Sequence, residues 1–361
     1  MPVETAGESV SARGIRRRPV WIYEAPWDLF VALCWVPIFF VWHLLLAGSG
    51  PPSDHLLQEG VTVALLVSFL HQPLTFGLVY GDANQFALHR RLFAWAPVVA
   101  VSVAIVAALE NLAIVIPIAA AWNLQHTLQQ RYGLQRIYAG KSGYGSPRLD
   151  RAFSYVVMAA ALFAVAAMPG TARLVQRSGL DPMNARAVQL LVDVRPEALW
   201  LLALALAALV AVIGALIRQE VAAGAKANPA KWIYQISSLA LVASIVVDPA
   251  AGFIAYVSAH SIEYAVVVYR TAERRYSAGQ GPGVTSFLGR VGRTAAGRVA
   301  FFSAVVALAL AVHSLVHGVV FNAVLYSVGA LHFTFDSVIW KLRRPAVSRD
   351  FAIRAPSAAR A

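Results

Sequence analysis

The stretch Ala250–Arg270, AAGFIAYVSAHSIEYAVVVYR, decides how the chain folds. It has the length of a helix that crosses a bilayer, which needs about 17–25 predominantly apolar residues. It also carries His260 and Glu263 near its middle. Ionisable groups at that depth cost on the order of 2–3 kcal/mol or more, so they usually face the interior of a helix bundle and have partners there. Because positions i and i+3 share a helix face, we expect both side chains to point the same way.

The composition is that of a membrane protein. Apolar residues make up 59% of the 361 positions and charged residues 13%, against roughly 25% charged in ordinary soluble domains. The formal net charge is +12. Arg and Lys lie in short segments between apolar runs, where they set topology, so we expect no nucleic-acid partner. The sequence therefore predicts an all-α, polytopic transmembrane helical bundle.

Apolar runs of spanning length are spread along the whole chain and predict about ten spans. Their approximate ranges are 27–47, 58–80, 93–109, 112–133, 151–168, 197–217, 232–247, 250–270, 298–318 and 322–341. The basic segments alternate with connections poor in Lys and Arg, which places the N- and C-termini in the cytoplasm. We expect a single transmembrane domain at 21–344, with disordered tails at 1–20 and 345–361. Frequent Ala and Arg suggest a bacterial inner membrane.

Histidines on four different predicted spans fall at one depth. With a rise of about 1.5 Å per residue they lie roughly 15–21 Å below the outer surface, and they are His71, His126, His260 and His332. Each has a polar companion about one turn away, in the same order Thr75, Gln129 and Gln130, Glu263, and Asp336. A lone buried histidine is about as often structural as functional. Four imidazoles at one depth, with carboxylates and amides behind them, instead favour a metal site.

His313 is a further candidate ligand. It forms an HxxxH pair with His317 in the ninth predicted span, and this spacing places two imidazoles on one helix face. Its expected depth is nearer the outer surface, so it is the second choice for the site.

Imidazole and carboxylate ligands suit iron, zinc, copper or nickel. A site within the bilayer is accessible to a hydrophobic small-molecule or lipid substrate, and molecular oxygen dissolves well there. We therefore predict Fe(II), with other divalent transition metals open, held by the four histidines. Glu263 and Asp336 are predicted to be catalytic, orienting or completing the ligand set. A groove for the substrate is expected among aromatic side chains, namely Trp122, Tyr256, Tyr264 and Phe333. The need for an electron donor stays open.

The segments around these histidines resemble those of a known family. FLHQPLTFG (69–77), WNLQHTLQQRYG (122–133), SAHSIEYAV (258–266) and ALHFTFDSVIW (330–340) look like the single-histidine segments of the bacterial membrane carotene-cleaving dioxygenases. Members of that family are polytopic and hold a non-haem iron through histidines. The resemblance lies in the pattern of single histidines on separate spans and extends over most of the chain. It implies an iron oxygenase.

Other functions fit some of the same residues. A haem-binding electron carrier would pair histidines on facing helices as axial ligands, at two depths. A transporter or proton-coupled permease would use buried His, Glu and Asp as a relay, with broken helices and duplicated halves. A structural protein would use them as polar contacts between helices.

Overall fold

The computed structural model describes residues 19–48, 51–110, 115–177, 189, 192–277 and 283–353. Within these ranges the secondary structure is helical and contains no strand. The prediction of an all-α polytopic bundle is thereby confirmed. The expected disordered tail at 1–20 lies outside the described residues up to position 18.

Sixteen α-helices are formed by the described residues. In chain order they are α1 (Ala25–Leu33), α2 (Trp35–Leu45), α3 (Pro51–His71), α4 (Pro73–Tyr80), α5 (Ala83–Leu88), α6 (Arg90–Leu109), α7 (Val115–Ser142), α8 (Pro147–Ala167), α9 (Pro169–Arg177), α10 (Arg195–Ala223), α11 (Pro229–Val247), α12 (Pro249–Tyr276), α13 (Phe287–Val291), α14 (Ala295–Leu315), α15 (Gly318–Ile339) and α16 (Pro345–Asp350).

Nine spans in the described part of the chain are long and apolar enough to cross a membrane, where the sequence predicted about ten. The predicted span at 112–133 corresponds to α7, which is not among the nine. This helix is 28 residues long, but its second half carries Gln129, Gln130 and Arg131. It packs against α8 and α11, so neighbouring helices cover much of its polar surface.

Helix α12 is the centre of the bundle. Of its most apolar window, 78% is buried, against 11–17% for α6, α10 and α14. It packs against α2, α3 and α11 and also contacts α1, α9, α14 and α16. Its small residues allow this, because a Cβ on Gly252 would lie 2.5 Å from the Cα of Ile245 on α11. The stretch that carries His260 and Glu263 is thus enclosed by protein on all sides.

Three helices begin in the same way, with a polar capping residue followed by proline. Ser146, Asn228 and Asp248 accept hydrogen bonds from backbone N–H groups in the first turn of α8, α11 and α12. Such caps satisfy N–H groups that have no intrahelical acceptor, and proline suits the first helical position because it lacks an N–H. The Asp248 cap fixes where α12 starts and hence the depth of His260.

Proline also places the first of the four histidines. The span Ser53–Tyr80 is interrupted at Gln72, so that α3 ends at His71 and α4 begins at Pro73. Proline removes a backbone donor and clashes with the preceding turn, which bends or breaks a helix. His71 is the last residue of α3, directly before this interruption, at which Gln72 keeps helical dihedral angles.

Only the first part of the predicted tail at 345–361 belongs to the described residues, which end at 353. It begins with α16, and Val347 and Phe351 are buried against the chain near Tyr23 and Trp340. Arg275 donates to the carboxylate of Asp350 over 3.1 Å through Nε. Two apolar anchors and an ion pair hold this segment against the rest of the bundle. The remainder of the tail lies outside the described residues.

Candidate metal site

The four histidines predicted to share one depth come together in the centre of the bundle. His71 ends α3, His126 lies on α7, His260 on α12 and His332 on α15. All four are buried, with exposed fractions between 0% and 8%. Four helices that are far apart in the sequence therefore place their imidazoles in one enclosed space.

The rings are packed edge to face around one another. Ring centroids are 4.8 Å apart for His71 and His332, 4.9 Å for His71 and His260, 5.1 Å for His126 and His260, and 4.7 Å for His126 and His332. The Nε2 atoms of His71 and His332 lie 3.1 Å apart. This is the length of a hydrogen bond between the two rings, and two nitrogens bound to one metal at about 2.0–2.1 Å have a similar separation.

Thr75 orients the ring of His332. Its hydroxyl donates to Oδ1 of Asp336 over 2.9 Å, so its oxygen accepts from Nδ1–H of His332 over 2.7 Å. A neutral imidazole that carries its proton on Nδ1 has its lone pair on Nε2. The lone pair of His332 is therefore directed at His71, and hydrogen bonds of this kind hold a metal-binding imidazole in one tautomer and orientation.

His260 has the least satisfied side chain of the four. Neither of its ring nitrogens has a hydrogen-bond partner in the described part of the chain, although only 2% of the residue is exposed. Nδ1 of His71 and Nε2 of His126 also lack partners among the described residues. Buried polar groups are nearly always paired, so a cluster of such nitrogens needs an explanation. A bound cation would pair with one nitrogen of each ring that it contacts, and the described groups allow this for His71 and His260 together with His332.

Two groups of potential ligands share His332. One contains His71, His260 and His332, the other His126, His332 and Asp336, and the donor atoms within each group lie within 4.8 Å of one another. The first offers three imidazoles. The second offers two imidazoles and one carboxylate, a set used by non-haem Fe(II) oxygenases. Both donor sets suit a divalent transition metal.

Asp336 lies at the edge of the histidine cluster. Its Oδ1 accepts hydrogen bonds from Thr75 and from the Tyr264 hydroxyl, the latter over 2.9 Å. Its Oδ2 is 3.8 Å from Nε2 of His126 and 3.8 Å from Nδ1 of His332. One oxygen is thus held by hydrogen bonds while the other faces two histidines.

Glu263 belongs to a different group of side chains from the one expected. It forms an ion pair with Arg131, and its Oε2 accepts from the Tyr234 hydroxyl over 3.1 Å and from Gln130 over 3.4 Å. Neither ligand group of the described chain includes it. Its role in completing the ligand set remains a prediction, and the contacts indicate that it neutralises Arg131.

The structure does not bring His313 into the site. This residue is partly exposed in the last turn of α14, and its ring packs against Phe321 with centroids 5.5 Å apart. Neither of the two ligand groups contains it.

The four aromatic residues predicted to line a groove take different positions. Phe333 packs on the His126 ring at 4.6 Å and on Trp122 at 5.4 Å, and Trp122 is 40% exposed. Tyr264 contacts Thr75 and Asp336 through its hydroxyl. The Tyr256 hydroxyl donates to the backbone oxygen of Leu124 over 3.3 Å. Only Trp122 and Phe333 therefore lie between the bundle surface and the histidines.

Sequence reasoning missed the partner of Glu263. Arg131 falls near the end of the predicted span 112–133 and was given no partner, whereas the residue is 1% exposed and bonded to Glu263 and Ser238. A carboxylate at the membrane midplane usually has a cationic partner nearby. A search for a basic residue at a similar depth could therefore have identified Arg131.

Histidines away from the cluster have local partners. His55 is exposed beside Glu59. His89 contacts Arg344, and partial burial, followed by the positive charges of Arg344 and Lys341, lowers its pKa. Both residues are suitable controls for substitutions at the site.

Comparison of the chain with models of protein families, with curated protein sequences and with solved structures finds no match. The structure by itself shows a multi-pass, membrane-type helical protein with buried histidine groups that could bind a metal ion.

Proposed function

We propose that the protein is a membrane metalloenzyme that holds Fe(II) among His71, His126, His260 and His332 and oxidises a hydrophobic substrate. The observation that carries the proposal is the cluster of buried, unpaired nitrogens around His260 within the described chain. Three or four imidazoles with one carboxylate match the ligands that iron accepts. Bound iron would supply the chemistry that activates molecular oxygen. The resemblance to carotene-cleaving dioxygenases points to the same class of reaction.

The side chains around the histidines have roles that follow from their contacts. Thr75 and Asp336 hold the His332 ring in the tautomer that leaves Nε2 free to bind a metal. Tyr264 holds the Asp336 carboxylate in place. Groups of this kind commonly change metal affinity by 10–100-fold when they are removed.

The substrate is proposed to arrive from the lipid. Trp122 is partly exposed on the bundle surface, Phe333 packs against it, and His126 packs against Phe333. This row of rings offers apolar contacts from the membrane to the site and suits a polyprenoid, carotenoid or fatty acyl chain. The proposed location is a bacterial inner membrane, where such compounds dissolve.

Metal content tests the proposal. The protein, purified in detergent without chelators, should contain iron in about stoichiometric amount, and His260→Ala should lose it while His55→Ala keeps it. Equal metal content in both variants, or metal that is absent from protein reconstituted with Fe(II), would contradict the proposal. Incubation of the iron-loaded protein with carotenoids, polyprenoids and fatty acyl chains would then identify the substrate.

A second candidate is a proton-coupled permease. It is favoured by the fully buried pair of Arg131 and Glu263, since ionisable pairs inside a membrane commonly mark ion pathways. Protein that folds without any stoichiometric metal would favour this function.

The haem alternative fits the geometry less well. Two axial imidazole nitrogens on one iron lie about 4 Å apart on opposite faces of a flat macrocycle, since each bond is about 2 Å long. His71 and His332 approach to 3.1 Å, and His260 and Tyr264 also pack against the His71 ring. No room for a porphyrin remains between them.

A further inference from the structure

Helices α7 and α11 present polar faces to each other. On α7 the side chains of Thr127, Arg131 and Gln135 recur every four residues, and on α11 those of Lys231, Tyr234, Gln235 and Ser238 follow helical spacing. Such spacing places each set on one face of its helix. The faces meet where Arg131 donates to Ser238 over 2.9 Å. We call these seven residues the polar seam.

The polar seam is deeply buried and incompletely paired. Gln135, Gln235 and Arg131 are 1%, 2% and 1% exposed. Among the residues that the structure describes, both side-chain polar atoms of Gln235, Oε1 of Gln135 and Nε of Arg131 have no hydrogen-bond partner. Leaving such groups unpaired in an apolar interior is unfavourable, and in a membrane no lipid can satisfy them.

The polar seam connects two charged groups at different depths. At one end, Arg131 pairs with Glu263, which lies one turn from His260 on α12. At the other end, Lys231 and Arg136 bind the two oxygens of Asp150 over 2.7 Å and 2.6 Å. This second group lies where α7 ends and α8 and α11 begin, and the Arg136 side chain is 20% exposed there. Seven residues of α11 separate the ends, a rise of about 10 Å.

We propose that the polar seam binds a chain of water molecules from the Asp150 end to Glu263. Buried water typically makes about three hydrogen bonds to polar groups that otherwise lack partners. Gln135, Gln235 and Arg131 supply such groups at successive turns. A small cavity next to Tyr234, lined also by Asp28, Tyr138 and apolar side chains, borders the polar seam. The water gives polar access to the neighbourhood of His260, separate from the aromatic row at Trp122. Water and protons can then reach the site without crossing lipid.

Hydroxyl-radical footprinting tests this on the full-length protein in nanodiscs. Radiolysis of bound water oxidises adjacent side chains, and Tyr234 is a native reporter within the polar seam. Phe93 is the control, since it is equally buried and belongs to an apolar cluster that contains no residue of the polar seam. After correction for intrinsic reactivity, Tyr234 should be oxidised several-fold faster than Phe93. Equal rates would overturn the proposal.

Matched variants separate bound water from general loosening of the bundle. Gln235→Leu should slow oxidation of Tyr234 several-fold, whereas Ile236→Leu, at the neighbouring and 61% exposed position, should not. Gln135→Leu provides the same comparison from α7 if the first variant does not fold. Unchanged oxidation of Tyr234 in both glutamine variants would overturn the proposal. His260→Ala should keep fast oxidation, so the outcome is independent of whether the protein binds iron.

Discussion

The Nε2 atoms of His71 and His332 lie 3.1 Å apart, although the two residues are 261 positions apart in the sequence. His71 is the last residue of α3, and the Thr75 hydroxyl orients the ring of His332. With the Nε2 lone pair of His332 directed at His71, either a hydrogen bond from Nε2–H of His71 or a cation between the two rings makes this contact favourable.

Removal of the Thr75 hydroxyl should loosen the metal without unfolding the protein. Thr75→Val keeps the shape but removes the link between His332 and Asp336. We expect metal affinity to fall by about 10–100-fold, measured by competition with a chelator. Thr334→Val is the control, because the Thr334 hydroxyl bonds only to its own helix, at the backbone oxygen of Ala330. Equal affinity in both variants would show that Thr75 does not orient the ligand.

Loss of the Glu263 charge should destabilise the fold. Glu263→Gln leaves the buried guanidinium of Arg131 without its counter-charge, and breaking a buried ion pair in this way costs about 3–5 kcal/mol. Thermal unfolding in detergent should show a lower Tm. The double variant Arg131→Met/Glu263→Gln should recover much of the loss. If Glu263→Gln instead kept the Tm and lost metal, Glu263 would act in the site as the sequence predicted.

Addition of one methyl group at Gly252 should weaken the packing of α12 on α11. An added Cβ would lie 2.5 Å from the Cα of Ile245, which belongs to the backbone and cannot rotate away. We expect Gly252→Ala to lower the Tm and the yield of folded protein. Gly214→Ala is the matched control, since nothing lies within 4 Å of the added methyl group. If both changes lowered the Tm equally, the loss would come from replacing glycine by alanine in general and not from the contact with Ile245.

The Asp248 cap should contribute to the stability of the central helix. Its Oδ1 accepts from the N–H groups of Ala250 and Ala251, and its Oδ2 contacts His43 at 2.8 Å. Replacement of a capping aspartate by alanine typically costs about 0.5–2 kcal/mol. Asp248→Ala should therefore lower the Tm, while Asp248→Asn, which can still cap, should lower it less. If both variants lowered the Tm by the same amount, the effect would come from the lost contact with His43 and not from the cap.

The sequence was informative about depth because position along a spanning helix converts directly into depth. That argument placed His71, His126, His260 and His332 in one layer, and the structure places their rings side by side. It could not give the order in which the helices pack. For that reason it paired Thr75 with His71, one turn away, although the hydroxyl bonds His332 on another helix.

The packing order of the helices, which the sequence does not give, also explains why Glu263 lies in a different group of side chains from the one expected. Helical spacing placed it on the face of α12 that carries His260, but spacing does not say which neighbouring helix meets that face. The burial of Arg131 depends on the contacts of α7 with α11 and α12, which spacing along α7 does not reveal. Likewise, the order of the segment at Val347 depends on distant residues against which it packs.

The metal content of the purified protein, together with its absorption spectrum, tests the central claim most directly. The account predicts about one or two iron ions per chain, no Soret band, and loss of the iron in both His260→Ala and His332→Ala. A Soret band would contradict it in favour of haem. Folded protein that binds no transition metal, even after reconstitution with Fe(II), would contradict it and assign the buried histidines to another role.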